Sequence, residues 1–338
     1  MNSSPSNSPP EVIAIDPRAI DRRRLRRAAD ALAAGMLVGF PTETVYGLGA
    51  NALDEAAVEA IFAAKDRPVG HPLIVHVADR AGAAQLADPW PERAEQLARA
   101  FWPGPLTMIV EKGADVPDLV TGGLQTVGLR IPDHPVARAL LEMAGLPVAA
   151  PSANPHKSLS PTRAEHVVTG LGGRVDIVVD AGSTSVGIES TVITLAEPRP
   201  TILRPGMIGR GAIEAVIGPV DVADGVVIPG EEARQAPGMA RKHYAPEASL
   251  RVVEGSDLAE MVDKMEPPVG VVALEGGAEV AADHLYRLPA AADAYAEALY
   301  RTLHRLDESG CVHIVVEAPP TGGSWRAVWD RLNRAAAP

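Results

Sequence analysis

Residues 39–73, GFPTETVYGLGANALDEAAVEAIFAAKDRPVGHPL, constrain the fold more than any other stretch, because they spell a strand, a tight turn and a helix in succession. The apolar residues 36–40 predict a buried strand, which Pro41 ends by withdrawing a backbone donor. Thr42, Glu43 and Thr44 then stand at the strand exit, where open α/β sheets hold ligands. Gly47 and Gly49 permit a close-approaching turn. Asp54 is suited to cap a helix whose apolar face is Val58, Ile61 and Phe62, and Pro68 and Gly70 are placed to stop it. The last turn of that helix delivers Lys65 and Arg67. Two cations there have an ordinary explanation in the helix dipole, worth about 0.3–1 kcal/mol each. Yet only five of the thirty-one basic residues are lysines, so a lysine at this place hints at a specific need.

The strand and helix alternation continues along the chain. Residues 20–34 read as a helix with Leu25, Ala28, Ala29 and Leu32 on one side and Arg22, Arg23, Arg24, Arg26 and Arg27 on the other. That basic face is either a solvated surface or a nucleic-acid patch. Residues 73–77 alternate, with Leu73, Val75 and Val77 on one face and Ile74 and His76 on the other. Residues 91–101 form a helix and 106–110 a strand. In residues 125–131, Val127, Leu129 and Ile131 share a face, opposite Thr126, Gly128 and Arg130. Burying that second face requires an anion for Arg130, since an unpaired buried guanidinium is heavily penalised. Gly128 leaves room for a ligand lying across Arg130.

A short strand then ends in Pro151-Ser152-Ala153-Asn154, placing Ser152 and Asn154 two apart at a strand exit. Such a turn can also exist for its local hydrogen bonds alone. Ser160, before Pro161 and Thr162, reads as the opening of a helix with an anion-friendly end. Strands follow at 177–180, 189–195 and 201–204; Ser190 and Thr191 supply hydroxyls, and Arg204 leaves a strand beside a turn.

Residues 1–11 lack periodicity and read as disordered, with neither a signal peptide nor an anchor. Residues 218–246 read as a linker, the Gly-, Pro- and acid-rich part of which ends in the basic-aromatic KHYAP. Residues 247–338 return to strand and helix alternation and predict a small Rossmann-like α/β domain. No Gly-x-Gly-x-x-Gly follows a strand there, so no dinucleotide is assigned to it. The fold class is therefore α/β: a larger domain at 12–217 built on a twisted open sheet with flanking helices, then the linker, then the smaller unit.

Composition narrows the function. The formal net charge of −12 opposes non-specific binding to nucleic acid, so any basic site is local. No apolar run approaches the ~20 residues of a membrane span. The single Cys311 fits a buried small side chain in a reducing compartment. No Walker loop, His-Glu-x-x-His, paired-Cys zinc site or Gly-x-Ser-x-Gly elbow is present.

The segments PTETVYGLG, KDRP, HPLIVHV, FWPGPLT, TVGLRIP, APSAN, ESTV and LRPG, in that order, resemble the YrdC-like threonylcarbamoyl-AMP synthase family. KHYAP and the unit after it resemble its long, two-domain form. The resemblance implies a reaction of L-threonine, bicarbonate and ATP that gives threonylcarbamoyl-AMP and pyrophosphate. It implies that Thr44, His76, Arg130, Ala150 and Ser190 hold threonine, with Arg130 on the carboxylate. It implies that Lys65, Arg67, His71, Thr126, Ser152, Asn154, Ser160 and Arg204 surround ATP, with Lys65 and Arg67 catalytic and Tyr244 reaching in from a lid. Mg²⁺ is expected on phosphate oxygens, without a protein cage. Downstream tRNA threonylcarbamoyltransferase proteins would use the product, in the cytoplasm, with tRNA touched only indirectly or weakly. Two other readings are an RNA-binding module that makes nothing, and a different carbamoyl-adenylate maturation enzyme. The low aromatic content of 4% weighs against the first, and the lack of cysteine pairs against the second.

Overall fold

The computed structural model describes residues 8–223 and 243–337. Within them, eleven strands form one sheet: β1 (Glu11–Ala14), β2 (Val38–Pro41), β3 (Tyr46–Asn51), β4 (Ile74–His76), β5 (Leu106–Glu111), β6 (Thr126–Arg130), β7 (Val148–Ala149), β8 (Ile177–Asp180), β9 (Thr191–Thr194), β10 (Thr201–Arg204) and β11 (Asp221–Val222). Their order is β1-β8-β2-β3-β7-β4-β6-β5-β9-β10-β11. Parallel pairs such as β4 with β6 alternate with antiparallel ones such as β2 with β3, so the sheet is mixed. A second sheet holds β12 (Ser249–Val253), β13 (Val269–Leu274), β14 (His284–Leu288) and β15 (His313–Glu317), ordered β12-β15-β13-β14 and parallel throughout. The α/β class and the smaller parallel second unit match the sequence expectation.

Apolar burial sets the layers. Helices Arg22–Ala33 and Pro135–Ala144 cover one face of the large sheet, where Leu25, Leu32, Leu140 and Val136 meet Phe40, Val148 and Val179. Helices Glu55–Lys65 and Glu92–Phe101 cover the other, where Ile61, Phe62 and Leu97 meet Leu48, Val75 and Leu129. Asp21 and Asp54 cap their helices, each accepting two backbone N–H bonds. The arginines of the first helix are exposed, and some meet surface partners: Arg27 lies 2.7 Å from Glu11 and Arg26 donates to Met143 O.

Several expectations need correction. Gly47 and Gly49 lie inside β3, not in a turn; a Cβ on Gly49 would fall 2.8 Å from the Phe40 ring, so this glycine admits an aromatic ring across the sheet. The helix before Arg67 ends at Asp66, in the left-handed region at φ 51°, before Pro68 is reached. Glu11, placed with a disordered terminus, pairs with Ile177 in β1; residues 1–7 lie outside the described residues. Of the expected linker, Asp221–Val222 joins the large sheet through β10, and residues 224–242 lie outside the described residues. Strand β14 was not foreseen.

The two sheets share an apolar cluster. Val45, Leu159 and Ile188 pack with Tyr295, Leu299, Tyr300, Trp325 and Val328, so the second unit docks against the end of the large sheet beyond the β2 exit.

Candidate active site

The β2 exit is fixed by one hydroxyl. Thr42 Oγ1 donates to Val45 O at 2.7 Å and accepts from the N–H groups of Thr44 and Val45, both at 3.2 Å. With its proton committed, it accepts the Thr44 hydroxyl, 2.8 Å away. Thr44 Oγ1 in turn accepts from Arg130 Nη2 at 2.9 Å. A row of local bonds therefore aims Thr44 at the middle of the sheet.

Arg130 ends β6, beside His76 of β4 in register. Its guanidinium is buried, donates to Gly104 O at 3.3 Å and lies 2.7 Å from Glu43 Oε1. The anion that the sequence demanded for Arg130 is thus internal. Glu43 was seen only as an acid at the strand exit, and its pairing had no local signal. Burial, then the Arg130 charge, pushes the His76 pKa down to about 3, so its imidazole is neutral at physiological pH.

A third wall comes from β9 and β10. Arg204 Nε donates to Ser190 O and its Nη2 to Ser190 Oγ, both at 3.1 Å; Ser190 Oγ also lies 2.8 Å from Thr107 Oγ1. This approach depends on Gly206, where a Cβ would sit 2.3 Å from Thr191 N.

These walls line one hollow that opens to solvent. Thr44, His76, Arg130, Ala150 and Ser190 line it, and so do Arg67, Ser152, Arg204 and Tyr244. Nine of the predicted site residues, scattered from β2 to the end of the linker, therefore meet in one place. Three guanidiniums converge there in a chain whose formal net charge is −12.

The other predicted residues stand outside that lining. Lys65 is buried behind the wall and donates to Ser152 O at 2.5 Å and to Asn154 O, so it fixes the turn that presents Ser152. Burial, then Arg67, lowers its pKa well below the ordinary lysine value. Asn154 Nδ2 is spent on Ser158 O, 2.8 Å away. Thr126 lines a small adjoining cavity with Thr107 and Gly128. His71 lies beside His156, their ring centres 5.8 Å apart and the rings tilted by 58°, and His156 reaches His243 at 6.0 Å. Ser160 does not open a helix, since that helix is Ala164–Leu171; instead its hydroxyl donates to Glu189 Oε1 at 2.5 Å.

Glu189 and His243 also line the hollow and were not singled out as site residues from sequence. KHYAP carried the signal for His243, and ESTV for Glu189. Among the described residues, no group of three or more His, Cys, Asp or Glu could hold a metal ion, and no helix is long and apolar enough to cross a membrane.

Comparison with known proteins places this geometry. Residues 30–206 match the family model described as Telomere recombination, and residues 208–337 match the one described as Threonylcarbamoyl-AMP synthase, C-terminal domain. A threonylcarbamoyl-AMP synthase of Pyrococcus abyssi is 42% identical over 94% of this chain and 95% of its own length. One from Bacillus subtilis is 44% identical over 93% of each. The crystal structure of P. abyssi Sua5 complexed with L-threonine superposes with a TM-score of 0.91 at 41% identity, covering 96% of this chain and 97% of that one. With both units matched in order and at nearly full length, the chain belongs to the threonylcarbamoyl-AMP synthase family, in its two-domain form.

Proposed function

We propose that the hollow joins L-threonine, bicarbonate and MgATP into threonylcarbamoyl-AMP and pyrophosphate, for the threonylcarbamoyl modification of tRNA. The observation that carries this reading is the meeting of Arg67, Arg130, Ser152, Ser190, Arg204 and Tyr244 around one cavity. Family membership supplies the substrates, threonine and ATP. Bicarbonate, the roles of single residues, the downstream tRNA threonylcarbamoyltransferase proteins and the cytoplasmic setting belong to the proposal.

Arg130 takes the threonine carboxylate while Glu43 keeps its guanidinium in place, and Thr44 and the neutral His76 offer hydrogen bonds to the amino acid's polar groups. Arg67, Arg204 and Ser152 face the nucleotide, and the Tyr244 hydroxyl, buried with no hydrogen-bond partner among the described residues, is left for a ligand. Charge-assisted bonds of about 1.5–3 kcal/mol each make three or four such contacts sufficient for micromolar nucleotide binding.

The neutral threonine amine attacks carbon dioxide with loss of a proton, or bicarbonate with loss of water, to form a carbamate, whose oxygen attacks the α-phosphate as pyrophosphate leaves. Positioning and charge stabilisation carry the rate. Magnesium would enter with the nucleotide, held by phosphate oxygens and water, and would neutralise phosphate charge. Lys65 acts one step back, by holding Ser152.

The test is incubation of the pure protein with ATP, Mg²⁺ and labelled bicarbonate, with and without threonine. Labelled adenylate that forms only with threonine is the expected result. Label incorporation that ignores threonine, or none at all, overturns the reading.

A further inference from the structure

Helix Arg326–Ala335 of the second unit buries Ala327, Val328, Leu332 and Ala335, and on the same buried stripe it carries Arg331. The Arg331 side chain is 0% exposed. Its Nε donates to Glu189 Oε2 at 2.7 Å, its Nη2 to Glu189 O at 3.1 Å, and its Nη1 to Pro205 O at 3.0 Å and to Asp330 Oδ2 at 2.6 Å. Its guanidinium carbon lies 5.2 Å from the centre of the Tyr244 ring. One side chain from the second unit therefore touches three separate segments that wall the hollow: the one entering Ser190, the one leaving Arg204, and Tyr244.

We infer that Arg331 is a positioning residue for the nucleotide half of the pocket, so that the second unit completes the site from outside it. This rests on the synthase reading above.

A stabilising role alone does not account for the arrangement. A buried ion pair is often no better for stability than apolar residues of the same volume, whereas its fixed donors impose one geometry. Here that geometry is saturated: Glu189 also accepts Ser160 Oγ at 2.5 Å and Tyr300 Oη at 3.2 Å. The groups it orients are those still able to bind, above all the buried Tyr244 hydroxyl, which has no hydrogen-bond partner among the described residues. The threonine half is tied down chiefly by Glu43, Thr42 and Gly104, none of which touches Arg331; only Ser190, next to Glu189, is shared. Loss of Arg331 should therefore divide the two substrates.

The test uses the full chain as Arg331→Met and Arg331→Lys, with thermal unfolding as the check on folding. Threonine affinity is measured by calorimetry without ATP, and adenylate formation with ATP varied. A lysine keeps the charge but not the fork that spans Glu189 and Pro205, so it should fall between methionine and the parent. In Arg331→Met, kcat/KM for ATP should drop by about 100-fold while threonine affinity stays within about threefold, as expected when groups are misplaced by a fraction of an ångström to an ångström. If the methionine variant does not fold, a folded lysine variant with the same split supports the inference. A folded variant with parental kcat/KM for ATP overturns it, as does an equal loss for both substrates or the failure of both variants to fold. A parent chain that makes no adenylate sinks the synthase reading instead.

Discussion

The arginines of helix Arg22–Ala33 and those around the hollow are the same residue in opposite circumstances. The first group is a run of exposed side chains answered by surface partners, among them Glu142 at 3.8 Å from Arg22. The second, Arg130 and Arg204, lines the hollow and is buried, and in the sequence each follows directly on an apolar strand. The contrast shows that clustering of charge along a chain reports a solvated surface here, while chemistry sits where an isolated charge interrupts an apolar pattern. A solvated guanidinium gains little from its partner, but a buried one must be matched atom by atom.

Breaking the buried side of that contrast should have the largest effect. Arg130→Met leaves Glu43 buried without its cation, and equilibrium denaturation should show a loss of about 3–5 kcal/mol. Calorimetry should show no threonine binding. Adding Glu43→Gln should restore part of the stability and none of the binding, which separates the two roles.

Arg67→Ala removes a charge facing the hollow. Its kcat for adenylate should fall by about 100-fold, the usual cost of deleting one charge-stabilising donor, with the denaturation midpoint nearly kept. Normal turnover in this variant would remove Arg67 from the reaction.

Acid probes the buried polar groups together. His76 and His166 are both pushed down to about 3, His76 by burial and then Arg130, His166 by burial and then His304. The folded state therefore binds fewer protons than the unfolded one between about pH 6.5 and 3. Stability is complete above 6.5 and should be lost progressively as pH falls towards 3, by up to about 1.4 kcal/mol per pH unit for the buried His76. Denaturation at pH 7, 6 and 5 reads this slope, and His76→Gln should make it shallower, leaving the share of His166.

The smallest effect should come from the exposed helix. The triple variant Arg22→Gln, Arg23→Gln, Arg24→Gln should change stability by less than about 0.5 kcal/mol per site and leave adenylate formation at the parental rate. A large loss of activity there would erase the distinction between the two groups.

The same distinction explains what the sequence disclosed. Strict alternation placed Arg130 and His76 correctly, each at the end of its strand and side by side in register. Strand β3 was not, because Gly47 and Gly49 mimic a turn while serving the Phe40 ring. Strand β14, HLYRL, carries too short a pattern to separate from loop. Glu43 and Arg331 find their partners across the fold, at Arg130 and Glu189, and no local pattern encodes such pairings. The signal for Arg331 was a guanidinium on the apolar face of an amphipathic helix, the same kind of interruption that marked Arg130.

The central claim is that one hollow holds both the amino acid and the nucleotide. A crystal structure with L-threonine and a non-hydrolysable ATP analogue tests it most directly. The account predicts the threonine carboxylate within hydrogen-bond distance of Arg130 and the α-phosphate in the same cavity, facing Arg67, Ser152 and Arg204. The two ligands on separate surfaces, or a nucleotide away from those residues, would contradict it.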